Sequence, residues 1–195
     1  MGNLILIKFK SFLFQNIFFG FLIMNLIHFF WHWLGMPVYY IYSFFKKPYL
    51  GGYFFTNQER FKQTYKMLNK SLQNLIDNFY TNSNETINIL EIGVYAGGSI
   101  LQIGNFFKKN NINNFKIYCI DHWKKFSHTQ EKKWNFYEYI TNKGLESGKV
   151  FKIFYNNIKF SGFDQNVEVI VDSRKDGLNK IGNIKFDFIY IDGGH

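Results

Sequence analysis

The sequence predicts an α/β fold with a doubly wound parallel sheet, preceded by a hydrophobic N-terminal segment. Short apolar runs at residues 87–92, 115–120, 167–171 and 186–191 are typical of strands buried in a parallel sheet. Segments with helical spacing of apolar residues follow the first two runs. Parallel strands place their carboxyl ends at one edge, where α/β sheets bind ligands. At or beside those ends stand the acidic residues Glu91, Asp121, Asp172 and Asp192.

Length and composition predict one domain with an appendage. The chain has 195 residues, 47% of them hydrophobic, which is enough for a single domain core with sequence to spare. We divide it into a hydrophobic segment at 1–50, an amphipathic helix with linker at 51–86, and a ligand-binding region at 87–195. The glycine pair at 51–52 predicts a hinge. The single Cys119 excludes an internal disulfide and a cysteine-based zinc site.

The N-terminal segment is the strongest membrane signal in the chain. Residues 11–45 contain no Asp, Glu, Lys or Arg, and the stretch 12–34 is long enough to cross a bilayer. Lysines flank the segment on both sides and weakly favour a cytoplasmic C-terminal part. We therefore predict membrane association through residues 12–45 with the remaining domain in the cytoplasm. Without membrane association, the whole chain would be cytoplasmic.

Two alternatives to a membrane-spanning helix stay open for this segment. A helix lying in the membrane plane and a hydrophobic arm packed on the domain both fit its composition. Polar side chains argue against a span because they are costly in lipid without partners. These side chains are Gln15, Asn16, Asn25, His28 and His32.

The positive charge of the chain does not form a nucleic-acid-binding pattern. The formal net charge is +9 and the pI is near 9.4. The lysines are scattered as pairs, such as Lys108 with Lys109 and Lys132 with Lys133, without a long basic run or an arginine-rich helix. Such pairs are typical of solvated surface, so we expect no nucleic-acid partner.

Helical patterns fill the spaces between these features. Thr56 and Glu59 have the spacing of a capping box, and apolar residues recur at helical spacing from Phe61 to Phe79. Further helices are predicted from Ser99 onward, over about 127–140, and over about 150–160. The aromatic residues along these helices predict core packing rather than a ligand site.

A glycine turn follows the first strand and predicts a ligand cradle. Gly93, Gly97 and Gly98 allow a tight backbone turn, and Ser99 opens a helix. The amides of the turn and the positive end of the helix dipole favour a carboxylate or phosphate. Glu91, at the strand end, is placed to accept hydrogen bonds from an ammonium or hydroxyl group.

Asp121 ends the second strand, a little over twenty residues beyond the glycine turn. An acidic residue at this place suits the two hydroxyls of a ribose. A capping role for Asp121 is the competing interpretation. Together with the glycine turn, the position favours the ribose.

The glycine spacing separates two classes of cofactor. Nicotinamide and flavin folds use Gly-x-Gly-x-x-Gly, whereas Tyr95 stands here at the middle glycine and the pattern reads Glu-x-Gly-x-x-x-Gly. This pattern resembles motif I of the class I S-adenosylmethionine-dependent methyltransferases. The stretch Gly-Val-Tyr-Ala-Gly-Gly-Ser at 93–99 is especially similar to small-molecule O-methyltransferases of the catechol and macrocin types.

The resemblance covers residues 88–195 and continues through three further motifs. They are Tyr-Cys-Ile-Asp-His-Trp at 118–123, the stretch from Phe154 to Ser173, and Phe-Asp-Phe-Ile-Tyr-Ile-Asp-Gly-Gly-His at 186–195. The resemblance implies a Rossmann-like sheet of which residues 87–195 form the cofactor-binding half. It implies S-adenosylmethionine as the cofactor.

The resemblance also implies roles for individual residues near the glycine turn. Gly93, Tyr95 and Ser99 would hold the methionine portion of the cofactor, Gly97 would complete the turn, and Glu91 would help to shape the site.

Further along the chain, the resemblance implies contacts to the rest of the cofactor and to the acceptor. Asp121 would take the ribose hydroxyls, and Asp172 with Ser173 would lie along the adenine. Asp192 matches the position that ligates a magnesium ion in metal-dependent members, although one carboxylate alone does not make a metal site. His195 is a candidate general base or acceptor contact.

From these observations we expect a methyltransferase that O-methylates a small hydroxylated or sugar-like molecule. The family's sheet has seven strands and this chain reaches the fourth, so we expect an incomplete sequence. A partner that covers the strand edge, such as a second copy of the chain, is an alternative, and so is a catalytically inactive, membrane-associated fragment or pseudoenzyme. A nucleotide-sugar or NAD-binding enzyme is a weaker alternative.

Overall fold

The computed structural model describes residues 36–49, 58–79, 85–125 and 142–192. Several predicted features lie outside these ranges, namely the hinge at 51–52, Thr56 of the capping box, the helix over 127–140, His195 and residues 12–35 of the hydrophobic segment. In chain order the elements are α1 (Met36–Phe44), α2 (Gln58–Phe79), β1 (Ile87–Ile92), α3 (Gly98–Lys109), β2 (Phe115–Asp121), α4 (Lys149–Lys159), a 3₁₀ turn (Asp164–Asn166), β3 (Val167–Val171), α5 (Arg174–Ile181) and β4 (Phe188–Ile191).

The four strands form one parallel sheet in the order β3-β2-β1-β4. Chain order and spatial order diverge at β1, because the chain first moves outward to β2 and β3 and then returns to β4 on the other side. This reversal is the topological switch point beside which open α/β sheets bind ligands. The predicted α/β fold with a Rossmann-like parallel sheet is confirmed.

Helices pack on both faces of the sheet, as a doubly wound fold requires. On one face, Ile87 and Ile89 of β1 belong to a large core shared with α2, α3, α4 and the residues around α1. On the other face, Leu90 and Ile92 belong to a smaller core closed by Ile181 of α5. Because both faces of β1 are buried, its sequence is an apolar run rather than an alternating pattern.

The structure differs from the sequence prediction at β4 and α5. β4 begins at Phe188 instead of 186, because the Asp187 carboxylate accepts the Asn88 N–H (2.8 Å) and the Phe186 ring packs edge-on against Tyr118. Helix α5 was not predicted, since its eight residues include only two large apolar side chains, Leu178 and Ile181.

Part of the hydrophobic N-terminal segment packs on the domain. Tyr39 of α1 and Tyr49 after it are buried in the large core, with ring centroids 5.8 Å apart. No helix in the described part of the chain has both the length and the apolar character that a membrane crossing needs.

Candidate functional site

The turn between β1 and α3 has the backbone conformation that its glycines predict. Gly93 and Gly97 have φ angles of 85° and 82°, in the left-handed region that favours glycine. Tyr95 also has a positive φ of 50°. The Gly97 N–H closes the turn on the Val94 carbonyl (2.9 Å), and α3 begins at Gly98 without a side-chain cap. The first N–H groups of α3 therefore remain for a ligand.

Asp121 joins the end of β2 to the glycine turn. Its Oδ2 accepts the backbone N–H groups of Val94 (2.8 Å) and Tyr95 (3.0 Å), and its Oδ1 accepts that of Trp123 (2.8 Å). The competing interpretation of Asp121 as a backbone-binding residue thus describes a real contact. The predicted ribose contact stays a prediction, and it falls to Oδ1, which carries a single N–H and keeps capacity for a second donor.

Glu91 has a buried carboxyl group near the end of β1, next to the glycine turn. Its side chain is fully buried, and one oxygen accepts a hydrogen bond from the Ser99 hydroxyl of α3. The other oxygen, Oε2, has no hydrogen-bond partner among the described residues. Burial raises the pKa of Glu91 well above 4.5, and the negative charges of Asp192 and Asp121 raise it further, while the Ser99 hydrogen bond lowers it. A buried acceptor without a partner suits a donor from a bound ligand.

Asp172 and Ser173 follow β3 beside Asp121, since the Asp172 N–H bonds the Asp121 carbonyl (3.1 Å). The Asp172 carboxylate pairs with Lys180 (2.7 Å) and accepts the Ser173 N–H (2.7 Å), and these contacts lower its pKa. The Ser173 hydroxyl caps α5 by accepting the Asp176 N–H (3.1 Å). Both residues have structural roles here, and their predicted adenine contact is untested.

Asp192 lies at the same sheet edge, directly after β4, with its N–H bonded to the Ile92 carbonyl (2.9 Å). Within the described ranges, no three His, Cys, Asp or Glu side chains come close enough to hold a metal ion, so the magnesium prediction has no support there. Hard cations need several oxygen ligands.

Tyr190 is a site residue that the sequence reasoning missed. It pairs in register with Glu91, and its hydroxyl hydrogen-bonds Asp192. Burial, together with the charges of Asp192 and Glu91, raises the pKa of Tyr190 to about 12. The available signal was strand alternation, which places Tyr190 on the same face as Glu91 once the two strands are known to be neighbours.

Two further residues hold the glycine turn through hydrogen bonds to its backbone carbonyls. The Trp123 indole N–H donates to the Tyr95 carbonyl (2.7 Å), and the Asn157 side-chain amide donates to the Ala96 carbonyl (2.9 Å). Neither residue was singled out from the sequence; Asn157 is a polar residue on the buried face of α4, which the sequence shows without indicating what it contacts.

Comparison with known proteins agrees with this geometry. A family described as a methyltransferase domain matches residues 90–195, which is more than half of the chain and contains the second half of β1, the glycine turn and all later elements. A search of curated proteins gives no significant match. The matched region carries the strand order and the ligand-binding edge that a class I methyltransferase fold requires. The chain therefore belongs to this methyltransferase family, which implies S-adenosylmethionine as the methyl donor.

Proposed function

We propose that this chain binds S-adenosylmethionine at the glycine turn and transfers its methyl group to an oxygen of a small hydroxylated or sugar-like acceptor. The observation that carries the proposal is the buried Glu91 carboxyl, whose Oε2 lacks a partner in the part of the chain that the structure describes and lies beside the uncapped start of α3. An amino acid group carries both an ammonium and a carboxylate. The Glu91 carboxyl suits the ammonium, and the α3 N-terminus suits the carboxylate.

The residues around the turn fit the remaining parts of this cofactor. Gly93, Tyr95 and Ser99 would hold its methionine portion, and the Oδ1 atom of Asp121 would accept a ribose hydroxyl. Asp172 and Ser173 would lie along the adenine, next to the Asp121 backbone. When bound, the cofactor supplies an activated methyl group on a sulfonium, so the chain needs mainly to place the acceptor oxygen in line with it.

The sheet edge beside β4 supplies polar groups for the acceptor. Asp192 and Tyr190 are hydrogen-bonded to each other there, and Asp192 is exposed. A carboxylate at this position can orient an acceptor hydroxyl and take up its proton. His195 stays a candidate for the same proton transfer, and the O-methyltransferase resemblance supports oxygen as the methylated atom.

A binding measurement tests the cofactor assignment. We expect calorimetry of the full 195-residue chain to give a dissociation constant of about 1 mM or lower for S-adenosylmethionine. Asp121→Ala removes the acceptor for the turn amides and the ribose, and Gly93→Val puts a β-branched side chain at a φ of 85°. Both changes should abolish binding. Asp187→Ala should preserve it, because Asp187 lies just before β4, at the amino ends of the strands and away from the glycine turn. Binding of NAD⁺ instead of S-adenosylmethionine would overturn the assignment.

Methyl transfer is tested separately from binding. Transfer of a labelled methyl group to a hydroxylated or sugar-like acceptor by the purified chain would exclude an inactive fragment. Cofactor binding without transfer to any acceptor of a polyhydroxylated panel would retain the binding site and reject the activity.

We also infer that the chain associates with membranes through residues 12–45, with the sheet on the cytoplasmic side. The surface of α1 supports this inference, since Tyr40 and Phe44 are 57% and 81% exposed, and Lys46 and Lys47 follow it. Aromatic rings with adjacent lysines suit the interface of an anionic bilayer. Flotation with anionic vesicles should recover the chain, and Phe44→Ser with Tyr40→Ser should reduce that recovery. Equal recovery of the wild type and the double variant would reject α1 as the contact.

A further inference from the structure

Asn157 is a buried side chain that connects two distant parts of the chain. It lies on α4 and is 1% exposed. Its Oδ1 accepts the Tyr49 N–H (2.5 Å), and its Nδ2 donates to the Tyr49 carbonyl (2.8 Å) and to the Ala96 carbonyl (2.9 Å). An Asn side chain has two N–H donors, and both are used here. One amide thus holds the segment after α1 and the glycine turn at the same time.

The contact to Ala96 fixes the orientation of the turn. Trp123 holds the Tyr95 carbonyl (2.7 Å) just as Asn157 holds the next carbonyl along the chain. In a trans peptide the C=O and N–H point in opposite directions. Anchoring the Tyr95 carbonyl on Trp123 therefore turns the Ala96 N–H away from the Trp123 ring. Because hydrogen bonds from Trp123 and Asn157 hold two consecutive carbonyls, the peptide groups of the turn have little freedom to rotate.

Packing beneath the turn reinforces these hydrogen bonds. The rings of Trp123 and Phe154 lie 4.8 Å apart, and Phe154 lies directly under Gly97, where an added Cβ would come within 2.9 Å of its ring. Helix α4 supplies both Phe154 and Asn157. A displacement of α4 would therefore move the floor of the turn.

We propose that Asn157 is a positioning residue which couples the docking of residues 36–49 to the conformation of the glycine turn. Docking of the N-terminal segment then favours the binding-competent turn, and a ligand on the turn favours docking in return, because coupling between two sites is reciprocal. The coupling rests on the proposed function in taking the cofactor as that ligand. It gives the N-terminal segment a regulatory contact with the cofactor site.

The neighbouring Asn156 provides a matched control. Its amide donates to the Tyr39 hydroxyl, so it also binds the N-terminal segment, but none of its hydrogen bonds to other described residues reaches the turn. Asn156→Ala and Asn157→Ala therefore remove the same chemical group from adjacent positions of one helix. A merely structural role would make the two variants differ in stability alone.

The affinity for S-adenosylhomocysteine, which is the cofactor without its transferable methyl group, tests the positioning role of Asn157 by calorimetry. We expect Asn157→Ala to weaken binding by about tenfold, which corresponds to about 1.4 kcal/mol. Asn156→Ala leaves both Asn157 hydrogen bonds to Tyr49 in place and so keeps the segment docked, and it should change binding by less than about twofold. Equal affinities of the wild type and folded Asn157→Ala would overturn the proposal.

Hydrogen exchange of the wild-type chain gives a second test that does not depend on a variant folding. Saturating S-adenosylhomocysteine should slow exchange of the Tyr49 amide, which donates to Asn157, together with the amides of the turn at 94–98. Slower exchange at the turn with no change at Tyr49 would show that the two regions are not coupled.

The same method separates this proposal from the cofactor assignment. If the wild-type chain binds no S-adenosylhomocysteine, the proposed function fails, and exchange is then compared without ligand. Asn157→Ala should still accelerate exchange at 94–98 while Asn156→Ala does not. Equal exchange at 94–98 in the wild type and both variants would reject the positioning role itself.

Discussion

The hydroxyl of Ser99 donates a hydrogen bond to one oxygen of the Glu91 carboxyl, and the other oxygen of that carboxyl is buried with no partner among residues 36–49, 58–79, 85–125 and 142–192. This pair joins the end of β1 to the first turn of α3 across the glycine turn. It also leaves an ionisable group in an environment that disfavours its charge, since burial raises the pKa of Glu91 well above its ordinary 4.5.

The raised pKa of Glu91 predicts the pH dependence of stability. The folded protein retains the Glu91 proton at pH values where the unfolded chain has released it. This contribution to the free energy of unfolding is therefore complete below pH 4.5 and is lost as the pH rises through the folded-state pKa. Glu91→Gln cannot ionise, so its stability relative to the wild type should increase between pH 4.5 and pH 8, by about 1.4 kcal/mol for each unit by which burial raises the pKa of Glu91.

Urea denaturation at pH 4.5, 6 and 8 measures this difference. Glu168→Gln is the control, because it removes an exposed carboxylate that pairs with Lys116 on the neighbouring strand. It should leave the slope of stability against pH close to that of the wild type. Parallel pH profiles for Glu91→Gln and the wild type would contradict a buried, proton-retaining Glu91.

Substitution of Asp121 should reduce both the order of the glycine turn and the affinity for the cofactor. Its carboxylate accepts three backbone N–H groups, and Asn at this position offers one oxygen in place of two. We expect Asp121→Asn to lower the free energy of unfolding by about 1.5–3 kcal/mol and to weaken S-adenosylhomocysteine binding at least tenfold. Denaturation and calorimetry on the same preparations measure the two effects.

Asp187→Asn is the matched control for Asp121. The Asp187 carboxylate also accepts a backbone N–H, that of Asn88 (2.8 Å), but it lies before β4 at the opposite edge of the sheet. Its substitution should leave cofactor affinity unchanged. An equal loss of affinity in both variants would show that Asp121 acts only through general stability.

Substitution of Gly97 by Ala should destabilise the protein through a steric clash as well as through backbone strain. The same substitution at a second glycine measures the cost of strain alone. Gly97 and Gly148 both have positive φ, but an added Cβ at Gly97 would lie 2.9 Å from the Phe154 ring, whereas one at Gly148 would meet nothing within 4 Å. We expect Gly148→Ala to cost about 1 kcal/mol from strain and Gly97→Ala about 2–4 kcal/mol from strain with overpacking. Urea denaturation decides, and equal losses would show that Phe154 moves aside without cost.

The sequence predicts β1, β2 and β3 better than β4 and α5. The bounds of β1 and β3 match the predicted runs to the residue, and β2 ends at Asp121 as predicted. The hydrophobic pattern of each of these strands is not also typical of a helix. Helix α5 depends instead on the Ser173 cap and on the fit of Gly177 against Ile120, where a Cβ would lie 2.6 Å away. Such fits arise from tertiary packing and leave no periodic pattern.

The same distinction applies to the site. The acidic residues at strand ends could be predicted, because the rule that places them concerns local chain order and the shared edge of parallel strands. The supports of the glycine turn could not. Asn157 reaches Tyr49 across 108 residues of sequence, and Trp123 reaches the Tyr95 carbonyl across 28. No spacing rule connects residues that meet only after the helices have packed.

Ser173 allows its capping role to be separated from its predicted adenine contact. Its hydroxyl accepts the Asp176 N–H (3.1 Å) and donates to the Asp176 carboxylate (2.5 Å), so the hydroxyl is already engaged in the cap. Ala at an N-cap costs about 1 kcal/mol, whereas Gly costs a few tenths. We therefore expect Ser173→Ala to lower the free energy of unfolding by about 1 kcal/mol and Ser173→Gly by much less.

Since both variants remove the hydroxyl, calorimetry with S-adenosylhomocysteine should give near-wild-type affinity for Ser173→Gly if the adenine contact is made by the backbone. An equal tenfold loss in both variants would instead assign the hydroxyl itself to the cofactor.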